Sequence, residues 1–239
     1  MGLRAAVLGA SGGIGAALVA QLATDPAIER VYAGSRRGGT AGGPVQPFRF
    51  DLRDAGSIAA AATQIGKEGA VDLVFVATGM LHRAGGPAPE KSFRAIDGAA
   101  MAELFQVNAI GPAVIARHFL PLLARDRRAV FAALSARVGS IADNRLGGWH
   151  SYRASKAALN MLIANFAIEL RRTHPQAIVA ALHPGTVDTG LSAPFQRGVP
   201  VARLFSPETS ARHLRKVLDA LRPEDSGGLF AWDGERLPY

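Results

Sequence analysis

The sequence predicts an α/β protein built on a doubly wound, mostly parallel sheet, and three observations carry that reading. Short apolar runs alternate with helix-periodic stretches from end to end. One of these runs, Val71 to Ala77 (VDLVFVA), is apolar throughout apart from Asp72, as in a strand covered on both faces. The first run, Ala5 to Leu8, stops at Gly9 and is followed at once by helix formers after Gly13, giving a strand, a tight glycine turn and a helix. We expect about seven strands with helices on both faces, in a single domain spanning residues 1–239.

In order, the first helix runs to about Ala23, where Asp25-Pro26 ends it. Glu29 to Gly34 reads as the second strand. Residues Ser35 to Pro44 are too glycine-rich for the usual crossover helix and predict a mobile loop. Val45 to Phe50 follows as the third strand, put at the sheet edge by Pro47. Further helices are expected at about 54–67, 99–123, 151–172 and 207–221, and further strands at 128–135, 176–182 and near 228–232. No apolar run approaches the roughly 20 residues of a membrane span, so the expectation is a soluble, cytoplasmic protein without a membrane partner.

Composition narrows the function classes. Of 239 residues, 49% are hydrophobic and 19% charged, which is globular and not disordered. Cysteine is absent, so disulfides and thiolate metal sites are excluded. The six histidines have no metal-ligand spacing, and no metal is assigned. The net charge of +8 comes from arginines scattered along the chain, with no basic stripe or DNA-binding motif, so no nucleic-acid partner is expected.

In a doubly wound sheet ligands bind beyond the carboxyl ends of the strands, which directs attention to one rim. There the turn Gly9-Ala10-Ser11-Gly12-Gly13-Ile14-Gly15 presents backbone N–H groups and a helix N-terminus suited to a phosphate. Its spacing differs from G-x-G-x-x-G. Tyr152 and Lys156, four apart on a helix, share a face. An ammonium beside a phenol favours the phenolate and makes the tyrosine a usable acid/base.

Taken together, Gly9-x-x-x-Gly13-x-Gly15, Asp51-Leu52, Asp72, Asn108, Tyr152-x-x-x-Lys156 and Pro184-Gly185-x-Val187-x-Thr189 resemble the short-chain dehydrogenase/reductase family in its single-domain, Rossmann-like branch. GSIADN (139–144) and YRASKAALN (152–160) are most similar to the sniffer, carbonyl-reductase and C-factor-like subgroup. The resemblance implies an oxidoreductase that moves a hydride between nicotinamide and a carbonyl or alcohol substrate. It implies cofactor contacts from Gly9, Ser11, Gly12, Gly13, Ile14 and Gly15, from Asp51 and Leu52 at adenine, and from Ala77, Thr78 and Gly79. Pro184, Gly185, Val187 and Thr189 would hold the carboxamide. Tyr152 would be the general acid/base, Lys156 would bind the ribose and lower the tyrosine pKa, and Asn108 would open its helix slightly to hold a relay water.

Two departures stand out. Val76-Ala77-Thr78-Gly79 replaces the family's Asn-Asn-Ala-Gly, and Ala136 falls where its catalytic serine is expected, leaving Ser135 or Ser140 as substitutes. Successive residues leaving a strand face opposite ways, so Ser135 reaches a substrate only through a bulge. At the end of the second strand stands Ser35-Arg36-Arg37, with no acid. Guanidinium groups suit a 2′-phosphate, so NADP(H) is preferred over NAD(H). Loops 80–89, 140–150 and 191–205 would shape the substrate pocket, with Trp149, Leu146, Phe195, Leu204 and Phe205 indicating an apolar carbonyl compound. A homodimer through helices 99–123 and 151–172 is expected. The alternative to an enzyme is an NADP(H)-binding sensor with little or no turnover, which would not need Tyr152, Lys156 and Asn108 together.

Overall fold

The structure, a computed structural model, describes residues 2–82 and 88–239. Its strands are β1 (Leu3–Leu8), β2 (Ile28–Ser35), β3 (Val45–Arg49), β4 (Leu73–Val76), β5 (Ala129–Leu134), β6 (Ala177–His183), β7 (Thr186–Val187), β8 (Leu204–Phe205), β9 (Leu229–Ala231) and β10 (Arg236–Leu237). Its α-helices are α1 (Gly13–Ala23), α2 (Ala55–Lys67), α3 (Gly98–Phe105), α4 (Gly111–Phe119), α5 (His150–Leu170) and α6 (Pro207–Ala220).

Eight strands form one sheet in the order β10-β9-β6-β5-β4-β1-β2-β3, parallel except for β10. Strand alternation sorts the side chains into two cores. Ala6, Leu8, Val74, Val76, Phe131 and Val179 face α2, α4 and α5, while Val7, Phe75, Val130, Ile178 and Leu182 face α1 and α6. Burial of both faces is what makes these strands read as continuous apolar runs.

Local chemistry sets the helix starts. Asp54 Oδ1 accepts from the N–H groups of Gly56 (2.9 Å) and Ser57 (3.2 Å) at α2, and Asp97 Oδ1 accepts from Ala100 N–H (2.7 Å) at α3. At α6, Ser206 accepts from Thr209 N–H, with Pro207 in the first turn. α1 differs: its N-cap is Gly12 and no side chain caps it.

The sheet holds one strand more than expected. Gly234, at φ +91°, turns the chain back so that β10 pairs antiparallel with β9. A two-residue strand has no periodicity to read, and the same holds for β7 and β8, which form a separate parallel pair. Pro47 sits in β3, which is an edge strand, and residues 36–44 contain no helix.

The expected helix at 99–123 is interrupted. Residues Gln106–Ile110 form a π-helical turn between α3 and α4. By length and composition alone the helical run Gly98–Leu122 is long and apolar enough to cross a membrane, a test that a core helix also meets. Glu103, Gln106 and Asn108 break its apolar pattern, which hid the run in the sequence. In this structure it packs against α2 and α5. Between α4 and α5 lies an apolar groove that includes Phe105, Val114, Met161 and Leu162 and exposes Ile110. This is the face on which the sequence reading places a homodimer contact.

Candidate active site

At β1 and β4 the strand order reverses direction, and the crevice between them is where a doubly wound sheet takes its ligand. Both walls are backbone. Gly9 has φ +102°, and a Cβ there would stand 3.0–3.1 Å from Ala77 and Thr78. A Cβ on Gly15 would lie 2.2 Å from the Gly9 carbonyl oxygen, so only glycine lets α1 start this close to the turn. Ser11, Gly12 and Gly13 are exposed, while Ile14 is half-buried and packs on the sheet. The uncapped start of α1 therefore opens onto the crevice with bare N–H groups, a cradle that fits a pyrophosphate. Thr189 closes over it: a Cβ on Gly13 would meet Thr189 Cγ2 at 2.8 Å.

Past β2, Ser35 is buried and its hydroxyl donates to the Gly38 carbonyl (2.6 Å). The Ser35 hydroxyl thus shapes the turn that the sequence reading places at the cofactor. Gly38, at φ +72°, completes the turn, and Arg36 and Arg37 are left exposed. Asp51 is half-buried and its Oδ1 accepts from Arg53 N–H (2.9 Å). Leu52 packs where a Cβ on Gly111 would fall, 2.8 Å from Leu52 Cδ2. Asp72, by contrast, is a framework residue. Its carboxylate accepts from Arg4 N–H (2.9 Å) and Arg127 Nε (2.7 Å) at the opposite end of β4 from Ala77, Thr78 and Gly79.

Thr78 Oγ1 is buried with no hydrogen-bond partner among the described residues, and it lies against Gly9 in the crevice. Gly79 sits over two other site residues: a Cβ there would be 3.6 Å from Lys156 Nζ and 3.7 Å from Asn108 Oδ1. Asn108 is fully buried in the π-helical turn. Its Oδ1 accepts from Met80 N–H (2.8 Å), and its Nδ2 donates to the Met80 carbonyl (2.7 Å) and to Ser155 Oγ (3.0 Å). The helix widens to a π-helical turn at Asn108, whose amide is bonded to Met80 and Ser155.

Tyr152, Ser155 and Lys156 occupy the first turns of α5 and are buried. Lys156 Nζ donates to the Leu134 carbonyl (2.8 Å) and lies 5.9 Å from the centre of the Tyr152 ring. Burial pushes the Tyr152 phenol above its ordinary value and lowers the Lys156 ammonium to about 7. For both groups the cause of the shift is burial. Both groups are desolvated, and the ammonium faces a carbonyl instead of the phenol oxygen.

The structure does not bring Ser135 to Tyr152. Its hydroxyl donates to Asn160 Oδ1 (2.7 Å), and the residue is buried. The alternation that left Ser135 in doubt holds, with no bulge in β5. Ala136 is the neighbour that packs with Tyr152, alongside Leu81 and Leu104. Ser140 is also engaged, accepting from Asp143 N–H (3.0 Å).

At the end of β6, Gly185 (φ +78°) leaves no room for a side chain against Phe205, and the Pro184 carbonyl accepts from Ser210 Oγ (3.1 Å). Val187 is buried in β7, so this segment reaches Thr189 as a braced strap beside the glycine turn.

Two features escaped the sequence reading. Glu90 braces the start of α5: its carbonyl accepts from Trp149 N–H and its carboxylate from Ser151 N–H (3.3 Å) and the Ser151 hydroxyl. Trp149 there takes φ +50°. An acid so distant in sequence gave no signal. The second is an aromatic wall, in which Trp149 meets Tyr152 (6.2 Å between ring centres) and Phe195 (5.2 Å), and Phe195 meets His82 (5.4 Å). Part of the loop expected at 80–89, residues 83–87, lies outside the described residues.

A crevice with a glycine cradle at the switch point, next to a buried tyrosine and lysine one helical turn apart, defines a dinucleotide-type oxidoreductase site. The short chain dehydrogenase family model matches residues 4–199, and the chain belongs to that family. It is 39% identical over 145 residues to C-signal of Myxococcus xanthus, covering 60% of this chain and 81% of that protein. It is 32% identical over 201 residues to 1-hydroxy-2-glutathionyl-2-methyl-3-butene dehydrogenase of Rhodococcus sp. (strain AD45), covering 83% of this chain and 82% of that one. Its fold superposes on NADPH-bound carbonyl reductase from chicken fatty liver with a TM-score of 0.85 at 25% identity, over 100% of this chain and 94% of the other. The chain is thus an oxidoreductase of the carbonyl-reductase and C-signal-like subgroup that its motifs resemble.

Proposed function

We propose that this protein is an NADP(H)-dependent reductase of small carbonyl compounds, working in reverse on the corresponding alcohols. The observation that carries the reading is the burial of Tyr152 and Lys156 together on one turn of α5, beside the backbone of Gly79. The glycine cradle and Thr189 would hold the pyrophosphate, Asp51 and Leu52 the adenine, and Arg36 and Arg37 the 2′-phosphate. A nicotinamide held there would supply or accept the hydride at the substrate carbon. Tyr152 moves the proton at the substrate oxygen, donating it as the carbonyl becomes an alcohol. Its phenol is held in place by ring contact with Trp149 and by apolar packing against Leu81, Leu104 and Ala136. Lys156 stands at the ring of Tyr152 and offsets the phenolate charge once its ammonium is protonated. The neutral walls admit an apolar carbonyl.

One observation favours a second reading, a cofactor-binding sensor: the Ser135 hydroxyl is engaged by Asn160, and Ala136 stands beside Tyr152. A single experiment separates the two. NADPH oxidation is followed with 4-nitrobenzaldehyde, octanal and cyclohexanone for wild type and Tyr152→Phe, with NADPH affinity measured in parallel. The reductase reading expects turnover by the wild type and a loss of roughly 10²–10⁴-fold in the variant at unchanged affinity. Tight NADPH binding without turnover of any carbonyl makes the sensor the correct reading.

A further inference from the structure

We propose that His82 is a second substrate-contacting side chain, whose Nε2 hydrogen-bonds the substrate's carbonyl oxygen beside Tyr152. This inference rests on the carbonyl-reductase reading and assigns to its site a residue that no motif marks.

Three observations place His82 there. Its chain neighbour Leu81 is buried in the cluster that holds Tyr152, Ala136 and Leu104. Met80, two residues back, is fixed through both of its backbone groups by Asn108. The His82 ring packs edge-on against Phe195 (72° between planes), and Phe195 packs on Trp149, which in turn meets Tyr152. His82 is thus held at the far end of the same aromatic wall.

The decisive feature is a nitrogen without a partner. His82 Nε2 is buried and makes no hydrogen bond among the described residues. Buried polar atoms in folded proteins are almost always paired, and an orphan needs an explanation. Most other polar side chains around Tyr152 are engaged, and the further orphan among the described residues here, Thr78 Oγ1, lies against Gly9 in the cofactor crevice. Ser135 is bonded to Asn160, Ser140 to Asp143, Ser151 to Glu90, Ser155 to the Tyr152 carbonyl, and Asn108 to Met80 and Ser155. His82 Nε2 is the orphaned nitrogen of the aromatic wall that runs through Phe195 and Trp149 to Tyr152. In the tautomer carrying hydrogen on Nε2, the imidazole donates to a carbonyl oxygen. It orients the oxygen toward Tyr152 and completes its own bonding only when substrate is present. The substrate class that fits is a carbonyl group carried on an aromatic or aliphatic body.

The test compares wild type, His82→Phe and His82→Gln with 4-nitrobenzaldehyde. Phenylalanine keeps the ring contact with Phe195 and removes both nitrogens, whereas glutamine restores an amide donor. His82→Phe is expected to lower kcat/KM by about tenfold, the worth of one neutral hydrogen bond, with NADPH affinity unchanged. His82→Gln is expected to recover part of the loss. The melting temperature of His82→Phe should equal or exceed that of the wild type, since an unpaired nitrogen leaves the interior. Unchanged kcat/KM in His82→Phe overturns the proposal, as does a lowered melting temperature with no rescue by glutamine, which marks a structural histidine. A wild type that binds NADPH yet reduces no carbonyl overturns the reductase reading and this proposal with it.

Discussion

Asn108 grips Met80 by both ends of one amide, accepting its N–H at 2.8 Å and donating to its carbonyl at 2.7 Å. The pairing imitates one rung of a β-ladder, made by a side chain from a helix. It ties the segment leaving β4 to the π-helical turn, and through Ser155 it reaches the start of α5. The two walls of the site are therefore one hydrogen-bonded unit.

Removing that amide leaves the Met80 backbone groups without their partner in a partly buried place. Asn108→Ala should lose about 2–3 kcal/mol of stability, within the range for orphaned buried polar groups. Asn108→Asp keeps the acceptor for Met80 N–H but loses both donors, and should fall between the two. Urea unfolding monitored by tryptophan fluorescence reads the difference. Equal midpoints for wild type and Asn108→Ala would show that the clamp adds nothing.

Much of this arrangement was legible in the sequence, and the reason is geometric. The glycine turn and Tyr152 with Lys156 announce themselves because each is fixed by spacing along one element, whereas Asn108 came from the family resemblance. Ser135 was legible only as far as alternation goes: the odds turned on a bulge, and β5 has none. What could not be read comes from contacts between segments distant in the chain. Glu90 braces Ser151, and Phe195 links His82 to Trp149, across 61 residues in the first case. The direction of the pKa shifts also escaped. Spacing places Lys156 beside Tyr152 but says nothing of the solvent that both lose.

The turn after β2 makes a prediction about cofactor choice. Ser35 and Gly38 lock it, and Arg36 and Arg37 project from it with no acid at the strand end. NADPH should bind at least about tenfold more tightly than NADH, a modest 1.4 kcal/mol for charge-assisted pairs to phosphate. The double variant Arg36→Ala, Arg37→Ala should weaken NADPH by about that factor and leave NADH unchanged. Titration of intrinsic fluorescence with each nucleotide measures both. An unchanged preference in the double variant would assign the 2′-phosphate elsewhere.

Lys156 carries the last prediction, which concerns pH. Burial lowers its ammonium from the ordinary 10.5 to about 7. The folded-state value lies below the unfolded one, so between pH 7 and 10.5 the unfolded chain holds more protons and stability rises with pH. Below about pH 7 both states are protonated and the full cost of burying the charge remains, a cost on the order of a few kcal/mol. Lys156→Met keeps the length and apolar stem of the side chain without the charge. Its stability should exceed that of the wild type at pH 6.5, even though the Leu134 carbonyl loses its donor, and the gap should narrow as pH rises toward 10. Urea midpoints at pH 6.5, 8 and 9.5 for both proteins test this directly. Parallel profiles would mean that Lys156 keeps its ordinary pKa in the fold. The same titration bears on catalysis, since burial moves this ammonium down toward neutrality beside the Tyr152 ring. The cost of burying this charge is then the stability the fold gives up to keep a titratable amine against Tyr152.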